Sequence, residues 1–202
     1  MVALIALYVA ALDVLVQGLL PAHLRVGGTQ GDYDIYTGFA ADFPVGTGCA
    51  GLKPPMTQYR CKEVTAEAYS SLLAFTARNN LTLVYGLNDM YGRPTKSKPE
   101  KPLCTDGCPT RDQSNIKALV TWLAGTKPRG WDSIYAFELG NELNSCLNGD
   151  MGAKTQAADF VALRALVDTV WPPAEGAKSH GVAAAAVAPP PRLVGPDTHS
   201  VT

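Results

Sequence analysis

The sequence predicts an α/β protein in which parallel strands alternate with outer helices, the arrangement of part of a β/α barrel. Two observations predict it. Four short strand-like runs punctuate the chain, each preceded by a helical segment. Each run also ends in Gly, Asn or Asp followed by a polar loop, as at the functional face of a barrel, where sites sit on the loops after the strands. Strands alternating with helices imply parallel pairing through helical crossovers. A doubly wound sheet would give the same alternation, so the pattern by itself leaves both open.

The strand-like runs are residues 23–28 (HLRVGG), 81–86 (LTLVYG), 133–138 (SIYAFE) and 192–195 (RLVG). Val64, Ala68, Leu72 and Phe75 recur at helical spacing, and Thr65 is a plausible N-cap for that helix. Ile116, Leu119, Val120 and Leu123 define a second helix face, and Phe160, Leu163, Val167 and Val170 a third. The apolar residues 1–20 invite a targeting reading. No Lys or Arg precedes the run, no clean small-x-small site follows, and Asp13 and Gln17 interrupt it. Leu12, Leu15, Val16 and Leu19 instead predict an amphipathic helix with no membrane span. Residues 93–111 form a Pro- and Lys-rich loop whose Arg93, Lys96, Lys98 and Lys101 read as solvated, and residues 172–191 an Ala/Pro-rich, flexible insertion.

The composition, 47% hydrophobic and 17% charged over 202 residues, is that of a globular domain with a real core. The formal net charge of -1 gives no reason to expect nucleic acid or an anionic membrane as partner. The five cysteines, Cys49, Cys61, Cys104, Cys108 and Cys146, lack zinc-finger spacing and lie in loop regions. Cystines in an oxidising compartment are expected, and no metal or organic cofactor. Asn80-Leu81-Thr82 is an N-x-T sequon between a helix and a strand. Trp122, Trp131 and Trp171 lie by helix ends and read as packing residues.

The chemistry centres on residues 137–144 (FELGNELN), where a strand runs straight into Gly140-Asn141-Glu142. Glycosidases need two carboxyl groups flanking the scissile bond, and one must donate a proton to the leaving oxygen. A Glu at a strand's C-terminal end is rigidly placed for that work, and an adjacent Asn can bond a sugar hydroxyl. Glu138, on the strand itself, reads as an internal ion-pair partner of Arg25 rather than a catalytic group.

FELGNELN is similar to the W/F-E-L/F-G-N-E segment of glycoside hydrolase family 79, the heparanases and related β-glucuronidases. Residues 21–36 (PAHLRVGGTQGDYDIY) resemble that family's L-R-x-G-G-[ST] strand and following loop. Residues 83–89 (LVYGLND) resemble its F-G-L-N strand end, and residues 193–197 (LVGPD) its Y-G-P-D segment. The four motifs occur in the family's order. The resemblance implies a (β/α)8 TIM barrel, of which residues 1–202 would be an incomplete piece holding about strands 2–5. It implies retaining hydrolysis of β-linked glucuronic acid in polysaccharides or proteoglycans, secreted or in the cell wall, lysosome or vacuole.

By the same resemblance Glu142 is the acid/base, Asn141 and Thr29 lie at the sugar, and Asn88 lines the site. Arg25 points into the barrel to help hold the nucleophile ionised. The resemblance to plant-like members pairs Cys49 with Cys61. The nucleophile lies on a later strand, outside residues 1–202, so the chain alone is expected to be inactive. Two other readings stand beside this one: a non-catalytic carbohydrate-binding pseudoenzyme, and another barrel glycosidase sharing the G-N-E motif.

Overall fold

The computed structural model describes residues 11–49, 61–91, 93, 111–125, 133–143, 151–171 and 190–195. Their order is helix α1 (residues 11–17), strand β1 (His23–Val26), a 3-10 turn (Thr29–Tyr33), β2 (Asp34–Thr37), β3 (Lys62–Thr65), α2 (Ala66–Arg78), β4 (Thr82–Leu87), α3 (Ser114–Gly125), β5 (Ile134–Leu139), α4 (Ala153–Val170) and β6 (Arg192–Val194). The expected residues 94–110, most of the 172–191 insertion, Trp131, Cys104, Cys108 and Cys146 lie outside the described residues.

Strands β1, β4, β5 and β6 form one sheet in that order, and every pairing is parallel. The order follows the chain without a reversal, so the described strands contain no switch point. A doubly wound sheet needs one; a barrel does not. The four strands coincide with the four runs read from the sequence, to within two residues at each end.

One face of this sheet packs on the helices. Leu83, Tyr85 and Leu87 of β4, with Ile134, Phe137 and Leu139 of β5, meet Leu119, Leu123, Leu163 and Val167 of the helices in one apolar cluster. Burying side chains of this size stabilises by roughly 1.5–3 kcal/mol each. The other face carries the polar residues. At its lower end His23 stacks on Tyr135 with ring centroids 4.2 Å apart, and Arg192 lies over the same ring at 4.8 Å. A register shift in the β4–β5 pairing between Leu83 and Val84 leaves Tyr135 as the extra residue.

Helix α2 starts at Thr65, whose hydroxyl accepts a hydrogen bond from the Ala68 N–H at 3.1 Å, the expected N-cap. Its buried stripe is Tyr69, Leu73 and Thr76, with Leu72 and Phe75 at its edge. The stripe predicted from the sequence is therefore rotated. Ala68 is exposed and Val64 belongs to β3, because the helix lies against β4 and the Phe39–Trp122 aromatic group, which only the tertiary fold brings there. Trp122 and Trp171 do serve packing, Trp122 edge-on to Phe39 at 5.1 Å and Trp171 buried near Phe137.

Strands β2 and β3, absent from the sequence reading, form a separate two-stranded parallel pair. The Asn115 amide of α3 holds both backbone groups of Tyr36, accepting from its N–H at 2.9 Å and donating to its C=O at 2.8 Å. The Glu63 carboxylate accepts from Gly46 N–H, Gly48 N–H and Thr37 hydroxyl at 2.7, 2.9 and 3.1 Å. These bonds, led by Gly46, hold its pKa below the usual range. Cys49 and Cys61 are joined by a disulfide across the same loop, Cα–Cα 5.6 Å.

The α1 stripe also departs from expectation. Leu12, Leu15 and Leu19 are exposed, and polar contacts anchor the segment: Asp13 pairs with Arg78 at 3.1 Å and accepts from the Asn79 amide, while Gln17 donates to Asn79 at 3.3 Å. No helix among the described residues is long and apolar enough to cross a membrane.

Peptide mapping without reduction is expected to recover the Cys49–Cys61 link. A closed loop of this size stabilises by about 3 kcal/mol in the chain-entropy model, so the Cys49→Ala/Cys61→Ala double variant should lose stability of that order in denaturant unfolding.

Candidate active site

The site lies where β1, β4 and β5 end. Glu138, near the end of β5, is buried, and its Oε2 accepts from both Nε and Nη2 of Arg25 on β1 at 2.8 Å. The ion pair read from the sequence is therefore present. Its room comes from glycines: a Cβ on Gly86 would stand 3.0 Å from the Gly27 Cα, so the two strands meet backbone to backbone beside the Glu138 carboxylate. Burying a carboxylate is costly unless a cation and further hydrogen bonds meet it, and Arg25 provides the cation.

Past β5 the chain turns sharply. Gly140 has φ 70°, and a Cβ there would collide with the side chain of Leu143, which is fully buried. The Gly140 N–H donates to Leu87 C=O at 3.0 Å, fastening the turn to the end of β4. Glu142 then takes φ 50°, a left-handed conformation that is uncommon outside glycine and that gathers at functional sites. Its side chain is half-buried, with no hydrogen bond to it among the described residues.

Asn141 links the elements. Its Oδ1 accepts from Arg25 Nη2 at 3.3 Å, its Nδ2 donates to the Thr29 hydroxyl at 3.2 Å, and its backbone N–H donates to Asp32 Oδ2 at 3.0 Å. Thus Arg25, Thr29 and Asn141 stand together beside Glu142. Asn88 is differently placed. It is buried, with its amide spent on backbone: Nδ2 donates to Asp34 C=O at 2.8 Å, and Oδ1 accepts from Met90 and Tyr91 N–H at 2.7 and 3.0 Å.

Asp32 was not read from the sequence. It sits in the 3-10 turn after β1, 2% exposed, and accepts from Asn141 and, at 3.5 Å, from Asp89 N–H. Burial pushes its carboxyl well above the usual range, and neighbouring Asp89 adds to the rise. An Asp in a polar Gly-Asp-Tyr-Asp loop reads as an ordinary turn residue. Only its partner 109 positions away marks it.

Behind Asp32 lies a buried charge cluster that was also missed. Asp89 and Asp159 face Arg93 and Arg111, all essentially inaccessible: Arg93 pairs with Asp159 and, at 3.5 Å, with Asp89, and Arg111 lies 3.3 Å from Asp89 and 4.0 Å from Asp159. The expectation of a solvated Arg93 is therefore corrected. Asp89, four residues before it, and Asp159 of the distant α4 draw it inside, and both ends of the 93–111 loop converge on the same carboxylates. Burial pushes Asp89 up to about 7, against the pull of Arg111 and Arg93.

A parallel β/α sheet with carboxyl and amide side chains gathered at its strand ends is the working end of a barrel enzyme. Compared with known families, residues 2–186 match glycosyl hydrolase family 79, N-terminal domain, and the chain belongs to that family. No curated protein matches it. By family it is a glycosidase with a partial (β/α)8 barrel fold, and its substrate is a glycan.

The buried carboxyls set the direction of pH dependence. A carboxyl whose native pKa lies above its unfolded value holds its proton more tightly when folded. The stability it contributes is full below about pH 4, the unfolded value, and is lost as pH rises through the native one. Asp32 and Asp89 both shift this way, Asp89 to about 7. The unfolding midpoint should therefore fall as pH rises from about 4 to about 7. Asp32→Asn should flatten that slope. It should also cost about 1–3 kcal/mol at acid pH, because an amide offers one acceptor oxygen where two backbone N–H groups need acceptors. Calorimetry across pH on both proteins reads both effects.

Proposed function

We propose that the chain carries the acid/base half of a retaining glycosidase site acting on β-linked glucuronic acid in glycans. The observation that supports this most directly is the Glu142 carboxyl, held on a left-handed turn at the end of β5 with its backbone neighbour fastened to Asp32. Glu142 first protonates the glycosidic oxygen and then activates the water that releases the glycosyl-enzyme. Asn141 and Thr29 contact sugar hydroxyls. The Arg25 guanidinium, 46% exposed on its side chain, supplies positive charge to the substrate carboxylate and to the nucleophile. Asn88 has its amide committed to backbone, and we assign it to shaping the loop after β4. The nucleophile comes from a barrel strand outside these residues, about 5 Å from Glu142 as retention requires. The family resemblance in the four motifs supports glucuronic acid as the sugar. The Cys49–Cys61 disulfide supports a secreted, cell-wall, lysosomal or vacuolar location.

The test is Glu142→Gln in a complete barrel containing this segment. Acid–base help is typically worth about 10²–10⁴-fold, so hydrolysis of unactivated glucuronides should fall by that order. Aryl glucuronides with good leaving groups should lose less, since their departure needs little protonation. Added azide should yield a β-glucuronyl azide. Unactivated glucuronides hydrolysed at the parent rate would remove Glu142 from the acid/base role. Sugar binding with no turnover by the complete parent protein would point to a carbohydrate-binding product instead.

A further inference from the structure

We propose that Asn80 is an acceptor for N-linked glycan, at the end of the sheet remote from the candidate active site. Asn80-Leu81-Thr82 is the single Asn-x-Ser/Thr sequence in the 202 residues. The structure resolves what the sequence leaves open, namely whether this asparagine is covered.

Two asparagines stand side by side at the end of α2, and they differ in kind. Asn79 is 1% exposed and locked: its Nδ2 donates to Asp13 Oδ1 at 2.6 Å and to Phe75 C=O at 3.0 Å, and its Oδ1 accepts from Gln17. Asn80 is exposed, sits at φ 53° on the outside of the turn, and has no side-chain hydrogen bond among the described residues. Its amide is therefore presented to solvent, while Leu81 is buried and fixes the turn. Thr82 opens β4 half-buried, its hydroxyl bonded to the His23 ring.

The reaction balances with one co-reactant, an oligosaccharide carried on a polyprenyl diphosphate. The Asn80 Nδ2 attacks the sugar's anomeric carbon, and the new C–N bond forms as the C–O bond to the diphosphate breaks. Polyprenyl diphosphate departs with the electron pair, and the amide proton passes to a base of the transferase. The compartment that supplies this donor is also one that permits disulfides, and Cys49–Cys61 is present. The proposal shares only this compartment with the reading of Glu142 and does not require that residue to be catalytic.

The position is compatible with a working site. Asn80 precedes β4, whereas Asn88 and the turn at Asn141 follow the carboxyl ends of β4 and β5. Six strand residues span about 20 Å, so a glycan here stands at the opposite end of the sheet. A purely structural account also exists for each residue. Asn tolerates a left-handed turn, and Thr82 bonds His23. The experiment separates the two.

The whole chain, with a cleavable secretion leader, is expressed in a eukaryotic cell, and its intact mass is measured before and after peptide N-glycosidase. One glycan is expected, with Asn80 converted to Asp in the released peptide. Asn80→Gly suits the left-handed turn and should abolish the mass step. Thr82→Val keeps a β-branched residue in β4 and should abolish it too, whereas Thr82→Ser should retain it. A wild-type chain that carries no glycan after passing through the compartment overturns the proposal. So does a mass step that survives Asn80→Gly.

Discussion

Three strand ends converge on one buried carboxyl. Asp32, in the turn after β1, accepts the backbone N–H of Asn141 beyond β5 and that of Asp89 beyond β4. Parallel strands leave their carboxyl-end loops with backbone groups that no ladder satisfies, and in the interior an unpaired N–H is costly. One carboxyl meeting two such groups fixes the relative height of three loops. Asp89 carries the constraint onward, since its own side chain faces Arg111 and Arg93, and these face Asp159 on α4. A chain of ionisable groups thus runs from the helix layer to the site. Both arginines of the cluster are buried, so neither can lose its carboxylates without leaving a costly charge behind.

The same constraint explains why glycine recurs along the motifs. Arg25 and Glu138 meet on the side of the sheet away from the helices, where backbone has to approach backbone for the carboxylate to fit. Gly27 and Gly86 make that approach possible: a methyl on Gly86 would fall within 3.0 Å of the other's Cα. The ion pair and its glycine floor are therefore one device spread over three strands. A buried pair of this kind is weak evidence of stability in itself. Its value here is orientation, because Arg25 also donates to Asn141 and so relates β1 to the turn beside Glu142.

Legibility followed locality. The four main strands were readable because each is a compact run closed by a turn residue, and the faces of α3 and α4 because Leu119, Leu123, Leu163 and Val167 repeat at helical spacing. Strands β2 and β3 were not, since Asp34–Thr37 and Lys62–Thr65 are four residues each and sit in polar surroundings. Their pairing depends on the Asn115 amide and the Glu63 carboxylate, which reach across the fold. Arg25 and Glu138 were legible as opposite charges on β1 and β5, the two strands that flank β4. Asp32, Arg93, Arg111 and Asp159 were not, because a lone charged residue in a loop or on a helix reads as solvated until its distant partner is known. Asn88 was readable as a strand-end residue, but its three bonds to backbone are tertiary.

Glu142 carries the cost of this arrangement. A non-glycine residue in the left-handed region is disfavoured by about 1–3 kcal/mol and persists only where its surroundings over-determine it. Those surroundings are visible on both sides. Gly140 is held to Leu87, and Leu143 folds back over Gly140 in full burial, with its carbonyl accepting from Met151 at 2.8 Å. Asn141 is held at its backbone N–H, its side-chain Oδ1 and its side-chain Nδ2 by three residues of the β1 strand and loop. With neighbours fixed before and after it, Glu142 has no relaxed conformation to fall into. Its side chain, by contrast, is held by no hydrogen bond among the described residues. A strained backbone at Glu142 whose carboxyl no described residue bonds is the reverse of what a stability role would select. A structural glutamate would be bonded, as Glu63 and Glu138 are. The turn thus holds the Glu142 backbone in place while no described residue bonds its carboxyl, the feature on which the proposed acid/base role rests.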